Sequence, residues 1–154
     1  MQHTDTVEPV STASNDLARR VQSVYEKIDP DNLDTLREIY ARDVSFEDPI
    51  HAIQGLDALI ANFQSLFANV ERCRFKFHRS VVSGDGIFFS WTMMLEHKTF
   101  KRDEVIRVEG ASYLKYRHGK IYYHRDYFDL GAMVYENIPV MGGLIRAIRS
   151  RIAA

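Results

Sequence analysis

The sequence predicts an α+β fold, in which helices precede an antiparallel sheet. Apolar residues recur at helical spacing up to about residue 70, and from Arg72 onwards the period changes to two. Turn signals at residues 83–86 and 117–120 then separate the alternating stretches. Helices followed by a meander of strands are typical of α+β domains.

Composition and charge narrow the functional classes. The chain has 154 residues, the length of one ordinary domain, and its net charge of −1 gives no reason to expect nucleic-acid binding. The single cysteine, Cys73, excludes an internal disulfide, and no Cys/His cluster has the spacing of zinc ligands. We find neither a signal-peptide pattern nor a membrane-spanning apolar run, and therefore expect a cytoplasmic protein without metal or cofactor.

The first helix follows a polar stretch. Residues 1–13 have no period, which predicts a flexible N-terminal arm. Ser14 or Asn15 can cap the helix that follows, and Tyr25 lies on its apolar face. Tyr25 is then either a core tyrosine with a hydrogen-bond partner or a hydroxyl that reaches a cavity.

Two more helices are predicted before the sheet. The second carries the stripe Leu33, Leu36 and Tyr40, and the third follows Gly55 and runs to about Val70. A short strand is expected between them.

That short strand ends in an acidic segment, Phe46-Glu47-Asp48-Pro49. Pro49 has no N–H to extend a ladder, so Asp48 lies where the strand ends. Burial between Phe46 and Ile50 would raise the pKa of the Asp48 carboxyl towards that of a base working at neutral pH. The alternative is a solvated Asp that opens a turn, as in most Asp-Pro pairs.

Four strands form the predicted meander. In the first, Cys73 alternates with charged residues, so it should be buried and structural. The second, residues 87–96, is apolar on both faces, which suggests that one face meets a partner subunit. Residues 105–116 and 121–128 form the third and fourth.

The fourth strand carries the second group of candidate site residues. Alternation places His124 and Asp126 on one side of it. They either point into a cavity as an acid/base pair, or face solvent while Asp126 pairs with Arg125 or a neighbouring strand.

The spacing of apolar residues predicts a C-terminal amphipathic helix over residues 138–154. Residues 14–137 then form the α+β domain. The apolar side of the helix consists of Leu144, Ile145, Ile148 and Ile152. We expect this side to dock on protein, with contact to a membrane surface as the less favoured alternative.

The order of elements and three motifs resemble the nuclear transport factor two-like superfamily over about residues 16–135. The motifs are Tyr25, the Phe46-Glu47-Asp48-Pro49 segment with Gly55, and the closing strand around His124 and Asp126. The superfamily includes SnoaL-like polyketide cyclases, ketosteroid isomerase, scytalone dehydratase and limonene epoxide hydrolase. The resemblance implies a cystatin-like cone, with a curved antiparallel sheet wrapped around three N-terminal helices and an internal pocket. It also implies a homodimer through the outer sheet face.

The resemblance also implies roles for single residues. Against ketosteroid isomerase, Asp48 matches the catalytic base and Tyr25 the oxyanion tyrosine. Ser112 stands where the isomerase keeps a protonated aspartic acid, a known case of a neutral carboxyl donor. Against the cyclases, Asp126 resembles the general base, and His124 adds a second candidate.

The first hypothesis is a cofactor-independent enzyme doing isomerase, cyclase or dehydratase chemistry on a small apolar carbonyl compound, such as a polyketide or a steroid. Asp126 with His124, or else Asp48, would be the base, and Tyr25 and Ser112 would bind the enolate oxygen. Four apolar residues would line the pocket, namely Phe46, Phe88, Leu114 and Phe128. The alternatives are a silent ligand-binding module of the same fold, and an adaptor that uses Trp91 and Tyr113 on the outer sheet face.

Overall fold

A computed structural model describes residues 11–84, 86–98, 104–133 and 150–152. Its α-helices are α1 (Thr12–Glu26), α2 (Leu56–Asn69) and α3 (Leu130–Met133), and a 3₁₀ helix spans Leu33–Glu38. The strands are β1 (Tyr40–Glu47), β2 (Ala52–Gln54), β3 (Val70–Ser83), β4 (Gly86–His97), β5 (Ile106–Arg117) and β6 (Lys120–Phe128). Together they form one sheet in the order β2-β1-β6-β5-β4-β3.

The topology confirms the α+β class and adds one feature. β3 to β6 form the predicted antiparallel meander. The predicted short strand is the first half of a hairpin, because β1 pairs antiparallel with β2. β1 also pairs in parallel with β6, with Phe46 opposite His124. This pairing places the acidic segment at Asp48 next to β6, the strand that contains His124 and Asp126.

The first helix begins earlier than the sequence suggests. Its cap is Ser11 rather than Ser14 or Asn15, and the Ser11 hydroxyl accepts a hydrogen bond from the Ser14 amide at 3.2 Å. The helix therefore starts at Thr12, inside the predicted arm, and residues 1–10 of that arm lie outside the described residues. The apolar face is as predicted, since Leu17, Val21 and Tyr25 are buried.

The second predicted helix is shorter than the apolar stripe from Leu33 to Tyr40 suggested. The 3₁₀ helix ends at Glu38, and Tyr40 belongs to β1. The reason is tertiary, because the Ile121 amide donates to the Ile39 carbonyl at 2.8 Å and draws this segment into the sheet. α2 begins where Gly55 predicts it, at a backbone φ of +93° that favours glycine.

The helices and the sheet meet in one apolar core. The Tyr25 ring of α1 lies edge-on to Phe75 of β3 and Phe63 of α2, at centroid distances of 5.5 and 6.2 Å. Cys73 is buried, as predicted, and burial raises the pKa of its thiol to about 12. Alternation along β3 therefore gives the inner face of this strand correctly.

The predicted C-terminal helix lies mostly outside the described residues. Of its span only residues 150–152 are described, where they are helical. Ile152 is 80% exposed on this chain, and the other three residues of the predicted apolar side lie outside the described residues. No helix among the described residues is long and apolar enough to cross a membrane.

Candidate active site

Four polar side chains form a continuous hydrogen-bond chain from α1 to β6. The Tyr25 hydroxyl lies 2.5 Å from that of Tyr40, which in turn lies 2.5 Å from Nδ1 of His124. The other ring nitrogen of His124, Nε2, lies 2.7 Å from Oδ1 of Asp126. His124 and Asp126 therefore face the interior together, rather than the solvent.

When Asp126 is ionised, the donors and acceptors available on each side chain determine which group donates in each hydrogen bond of this chain. A carboxylate only accepts, so Nε2–H of His124 donates to it. In neutral His124, Nδ1 is then an acceptor and takes the Tyr40 proton, while the Tyr40 oxygen accepts from Tyr25. Burial raises the pKa of both tyrosines, and the nearby Asp126 charge adds to this, so both remain protonated donors.

A second arm fixes Asp126 from the other side. The Ser112 hydroxyl donates to Oδ1 of Asp126 at 2.5 Å and accepts from the Trp91 indole N–H at 2.8 Å. The Ser112 hydroxyl therefore donates its one proton to Asp126. On the sequence alone, this proton was expected to bind the enolate oxygen instead. Within the described residues no hydrogen bond reaches Oδ2 of Asp126, so this oxygen keeps its lone pairs for chemistry.

Asp126 lies at the inner end of a cavity of about 330 Å³. Its walls are mainly apolar and include Phe46, Phe63, Phe75, Met93 and Phe128. Ile50 and Leu66, 48% and 40% exposed, mark the mouth. Buried Tyr25 and Trp91 lie with Asp126 at the floor. The site is thus a concave apolar pocket with a few polar groups, the usual form of a small-molecule site.

Asp48 lines the same cavity, but unlike Asp126 it has hydrogen-bond partners on both carboxylate oxygens. Its Oδ1 accepts hydrogen bonds from the amides of Ile50 and His51, at 2.7 and 2.6 Å. Its Oδ2 lies 3.0 Å from Nδ1 of His51. Asp48 thus opens a turn, as in most Asp-Pro pairs, and it also lines the pocket.

Two of the expected lining residues lie elsewhere. Phe46 and Phe128 line the cavity, as predicted. Phe88 is 49% exposed on the outer sheet face, where its ring stacks on Tyr113 at 4.5 Å. Leu114 points inward but is fully buried in the core and lines neither this cavity nor the smaller space behind Asp126. For Phe88 the error was one of parity, because it alternates with the inward Ile87 and Phe89.

Sequence reasoning missed two residues of the site. Trp91, assigned to an outer interface, is 3% exposed and lines the cavity. Its parity with Phe89 and Met93 was the available signal. Tyr40 was taken as the end of a helical stripe, and its parity with Val44 and Phe46 on a strand was the signal there.

The arrangement can take up a proton in an apolar surrounding. Among the described residues no group of three or more His, Cys, Asp and Glu side chains could hold a metal ion. Asp126 has one free oxygen at the cavity, while His124 and Ser112 hold the other oxygen from behind. Such a carboxylate is suited to general base catalysis.

Comparisons with known proteins agree with this fold. A family model described as the SnoaL-like domain matches residues 21–124. A search of the curated proteins finds no significant match. An NTF2-like protein of unknown function from Burkholderia pseudomallei has a TM-score of 0.71 at 15% identity, over 80% of this chain and 96% of that one.

Two further solved structures carry functional names. A candidate SnoaL-like polyketide cyclase from Jannaschia sp. CCS1 has a TM-score of 0.69 at 16% identity, over 82% of this chain and 94% of that one. An LEH-like epoxide hydrolase of M. tuberculosis has a TM-score of 0.66 at 18% identity, over 91% of this chain and 97% of that one. At these identities the likeness concerns the fold.

Proposed function

The chain belongs to the SnoaL-like domain family, and on that premise we propose that it is a cofactor-independent enzyme for acid/base chemistry on a small apolar carbonyl compound. The reaction begins with removal of a proton from the carbon next to the carbonyl group. The observation that carries this proposal is Asp126, a carboxylate with one free oxygen at the floor of an apolar cavity. The polyketide cyclase named among the similar structures is consistent with such a substrate.

Asp126 is a better base than Asp48. Oδ1 of Asp48 is occupied by two backbone amides and Oδ2 by His51, so a proton arriving there would break existing bonds. The Asp126 side chain is 17% exposed and holds its two hydrogen bonds on Oδ1, which leaves Oδ2 free.

The hydrogen-bond chain provides a way to stabilise the enolate. The Tyr25 hydroxyl lines the cavity and has one proton, which it donates to Tyr40 before the enolate forms. As negative charge develops on the substrate oxygen, this proton turns to that oxygen, while the Tyr40 proton stays on its hydrogen bond to His124 and Nε2–H of His124 stays on Asp126. The donor becomes available as the negative charge develops, which is where hydrogen bonds accelerate a reaction most.

A ligand-binding protein of the same fold is the second candidate. It is favoured by the mainly apolar lining of the cavity, which alone would hold an apolar ligand. The two candidates differ in one measurable property, the exchange of carbon-bound protons.

Proton exchange tests the proposal. Benzylacetone and β-tetralone are incubated with the protein in deuterium oxide, and loss of the α-proton signals is followed by NMR. We expect Asp126→Asn to slow the exchange by about 10²–10⁴-fold, the usual contribution of a general base. The matched control is Asp57→Asn, the same change on an 83% exposed side chain of α2, which should exchange like the wild type.

Binding is measured in parallel through the fluorescence of Trp91, the single tryptophan of the chain, which lines the cavity. Wild-type protein that binds these ketones without exchanging their protons would contradict the enzyme and favour the ligand-binding protein.

A further inference from the structure

A second carboxylate–histidine pair lies at the cavity mouth. Nδ1 of His51 lies 3.0 Å from Oδ2 and 3.2 Å from Oδ1 of Asp48, and both residues line the cavity. The His51 side chain is 40% exposed, whereas that of Asp48 is 13% exposed. His51 can therefore reach both the cavity and bulk water.

The two pairs belong to neighbouring strands. β1 and β6 run parallel, and the last registered pair is Glu47 opposite Arg125. Asp48 and Asp126 each follow that pair by one residue, at the same end of the β1–β6 pairing, and adjacent strands lie about 4.8 Å apart. One small molecule in the cavity can thus meet both pairs, with Asp126 at the floor and His51 at the mouth.

Asp48 has the geometry of an orienting group. Backbone amides at residues 50 and 51 hold its Oδ1, so the carboxylate cannot rotate freely. An ionised carboxylate only accepts, so Nδ1 of His51 carries the proton of their contact and Nε2 is left for other partners. This is the role of a carboxylate behind a catalytic histidine, which it holds in one tautomer and one orientation.

We propose that His51, oriented by Asp48, is a second acid/base residue that donates a proton to a substrate oxygen at the cavity mouth. The inference rests on the proposed function, and it narrows the substrate to β-hydroxy ketones, whose hydroxyl group leaves as water. Histidine is the side chain that gains and loses protons near neutral pH, and exposure to water lets His51 be recharged after each turnover.

The elimination balances with these two groups alone. Oδ2 of Asp126 takes the α-proton, and the electron pair of the C–H bond forms the new C=C bond. His51 starts as an imidazolium, with one proton on Nδ1 facing Asp48 and the other on Nε2. The C–O bond at the β-carbon breaks, and the departing oxygen takes the Nε2 proton to leave as water. Asp126 is left protonated and His51 neutral, and exchange with solvent restores both.

A matched pair of probes separates the two steps. Benzylacetone has the α-protons but no leaving group, so its exchange in deuterium oxide reports on Asp126. Its β-hydroxy derivative adds the leaving group, and its loss of water yields benzylideneacetone, which is followed by ultraviolet absorbance. The variant is His51→Gln, which keeps a hydrogen-bonding side chain next to Asp48 but cannot transfer a proton.

We expect elimination by His51→Gln to fall at least about a hundredfold further than its α-exchange does, the size of a lost general acid. Asp48→Asn should keep the turn, because its amide oxygen still accepts from the backbone, and should lower kcat for elimination more than it alters KM. Imidazole added to His51→Ala should restore part of the elimination rate, since the site is open to water.

Two results would overturn the proposal, and they differ in what else they affect. Equal loss of both reactions in His51→Gln, or elimination as fast as in the wild type, would reject a proton-donating role for His51 while leaving Asp126 as the base. Absence of α-exchange in the wild type would reject the proposed function itself, and this inference with it.

Discussion

His124 is the residue through which the two halves of the buried chain communicate. It is 3% exposed, and each ring nitrogen has one partner, Tyr40 on one side and Asp126 on the other. The ring also packs against Phe46 at a centroid distance of 4.8 Å, which restricts its rotation. The tautomer of His124 therefore determines whether Tyr25 presents a proton or a lone pair to the cavity.

The hydroxyl of Tyr40 should matter for stability as well as for chemistry. Tyr40→Phe leaves the Tyr25 hydroxyl and Nδ1 of His124 without their buried partner. We expect the free energy of unfolding to fall by about 1–3 kcal/mol, the cost of a buried polar group without a hydrogen bond. Urea denaturation followed by circular dichroism measures this. Tyr127→Phe, on a 51% exposed side chain, is the control and should change stability by less than about 0.5 kcal/mol.

The same pair gives the stability a defined pH dependence. Burial raises the pKa of Tyr25 and Tyr40 above the ordinary value of 10.0. The unfolded chain therefore loses these protons first, so their contribution is complete below pH 10.0 and decreases as the pH rises above it. Denaturation curves between neutral and alkaline pH should show this decline, and it should be smaller in Tyr40→Phe. An equal decline in both proteins would contradict the assignment.

At the level of elements, the contact between β4 and β5 holds Asp126, the proposed base, in place. Gly110 pairs with Trp91, and a Cβ at residue 110 would lie only 2.2 Å from Cη2 of the indole ring. The ring thus lies flat over a position where only glycine fits. From there its N–H reaches Ser112, and through Ser112 it fixes Asp126.

Gly110→Ala tests this contact. The new methyl group must displace the indole ring, and overpacking of this kind costs about 1–3 kcal/mol. We expect a lower melting temperature and a shifted emission spectrum of Trp91, the only tryptophan. Ala111→Ser, at the exposed neighbouring position of β5, should leave the spectrum as it is. An unshifted spectrum in Gly110→Ala would show that the ring tolerates the methyl group.

Strand periodicity predicted more of the site than helix periodicity did. Alternation along β6 placed His124 and Asp126 on one face, because the period of a strand is strictly two. The burial of His124 in the structure identifies that face as the inner one. Tyr40 was misplaced because local spacing suits a short helix as well as a strand, and its pairing with Ile121 decides between them. The hydrogen bonds that link Tyr40 to His124 and hold Asp48 at His51 are tertiary or turn-specific, so no local pattern encodes them.

At the scale of the whole molecule, the outer face of the sheet exposes several large apolar side chains. Phe88, Val81 and Tyr127 are 49%, 57% and 51% exposed, and the Phe88 ring stacks on Tyr113. Monomeric proteins rarely expose large contiguous apolar patches. We therefore propose a homodimer through this face. β4 lies next to the edge strand β3, so a contact centred on β4 would be off the centre of the sheet.

Light scattering tests the dimer at micromolar concentration. We expect twice the chain mass of 17.9 kDa. Phe88→Glu should shift the equilibrium to the monomer, because it brings a charge into the apolar contact. Leu66→Glu makes the same kind of change at the cavity mouth and should remain dimeric. A wild-type mass of one chain would contradict the proposal.

The parallel pairing of β1 with β6 also sets the order in which the molecule can fold. The bond between Tyr40 and His124 joins residues 84 positions apart, so we expect it to form after the local hairpins of the meander. Contacts of such long sequence separation slow folding, since a large loop must close before they contribute. On the ribosome, β1 emerges long before its partner strand exists. The pocket is therefore completed last, and a nascent chain that stops short of β6 has neither its floor nor its base.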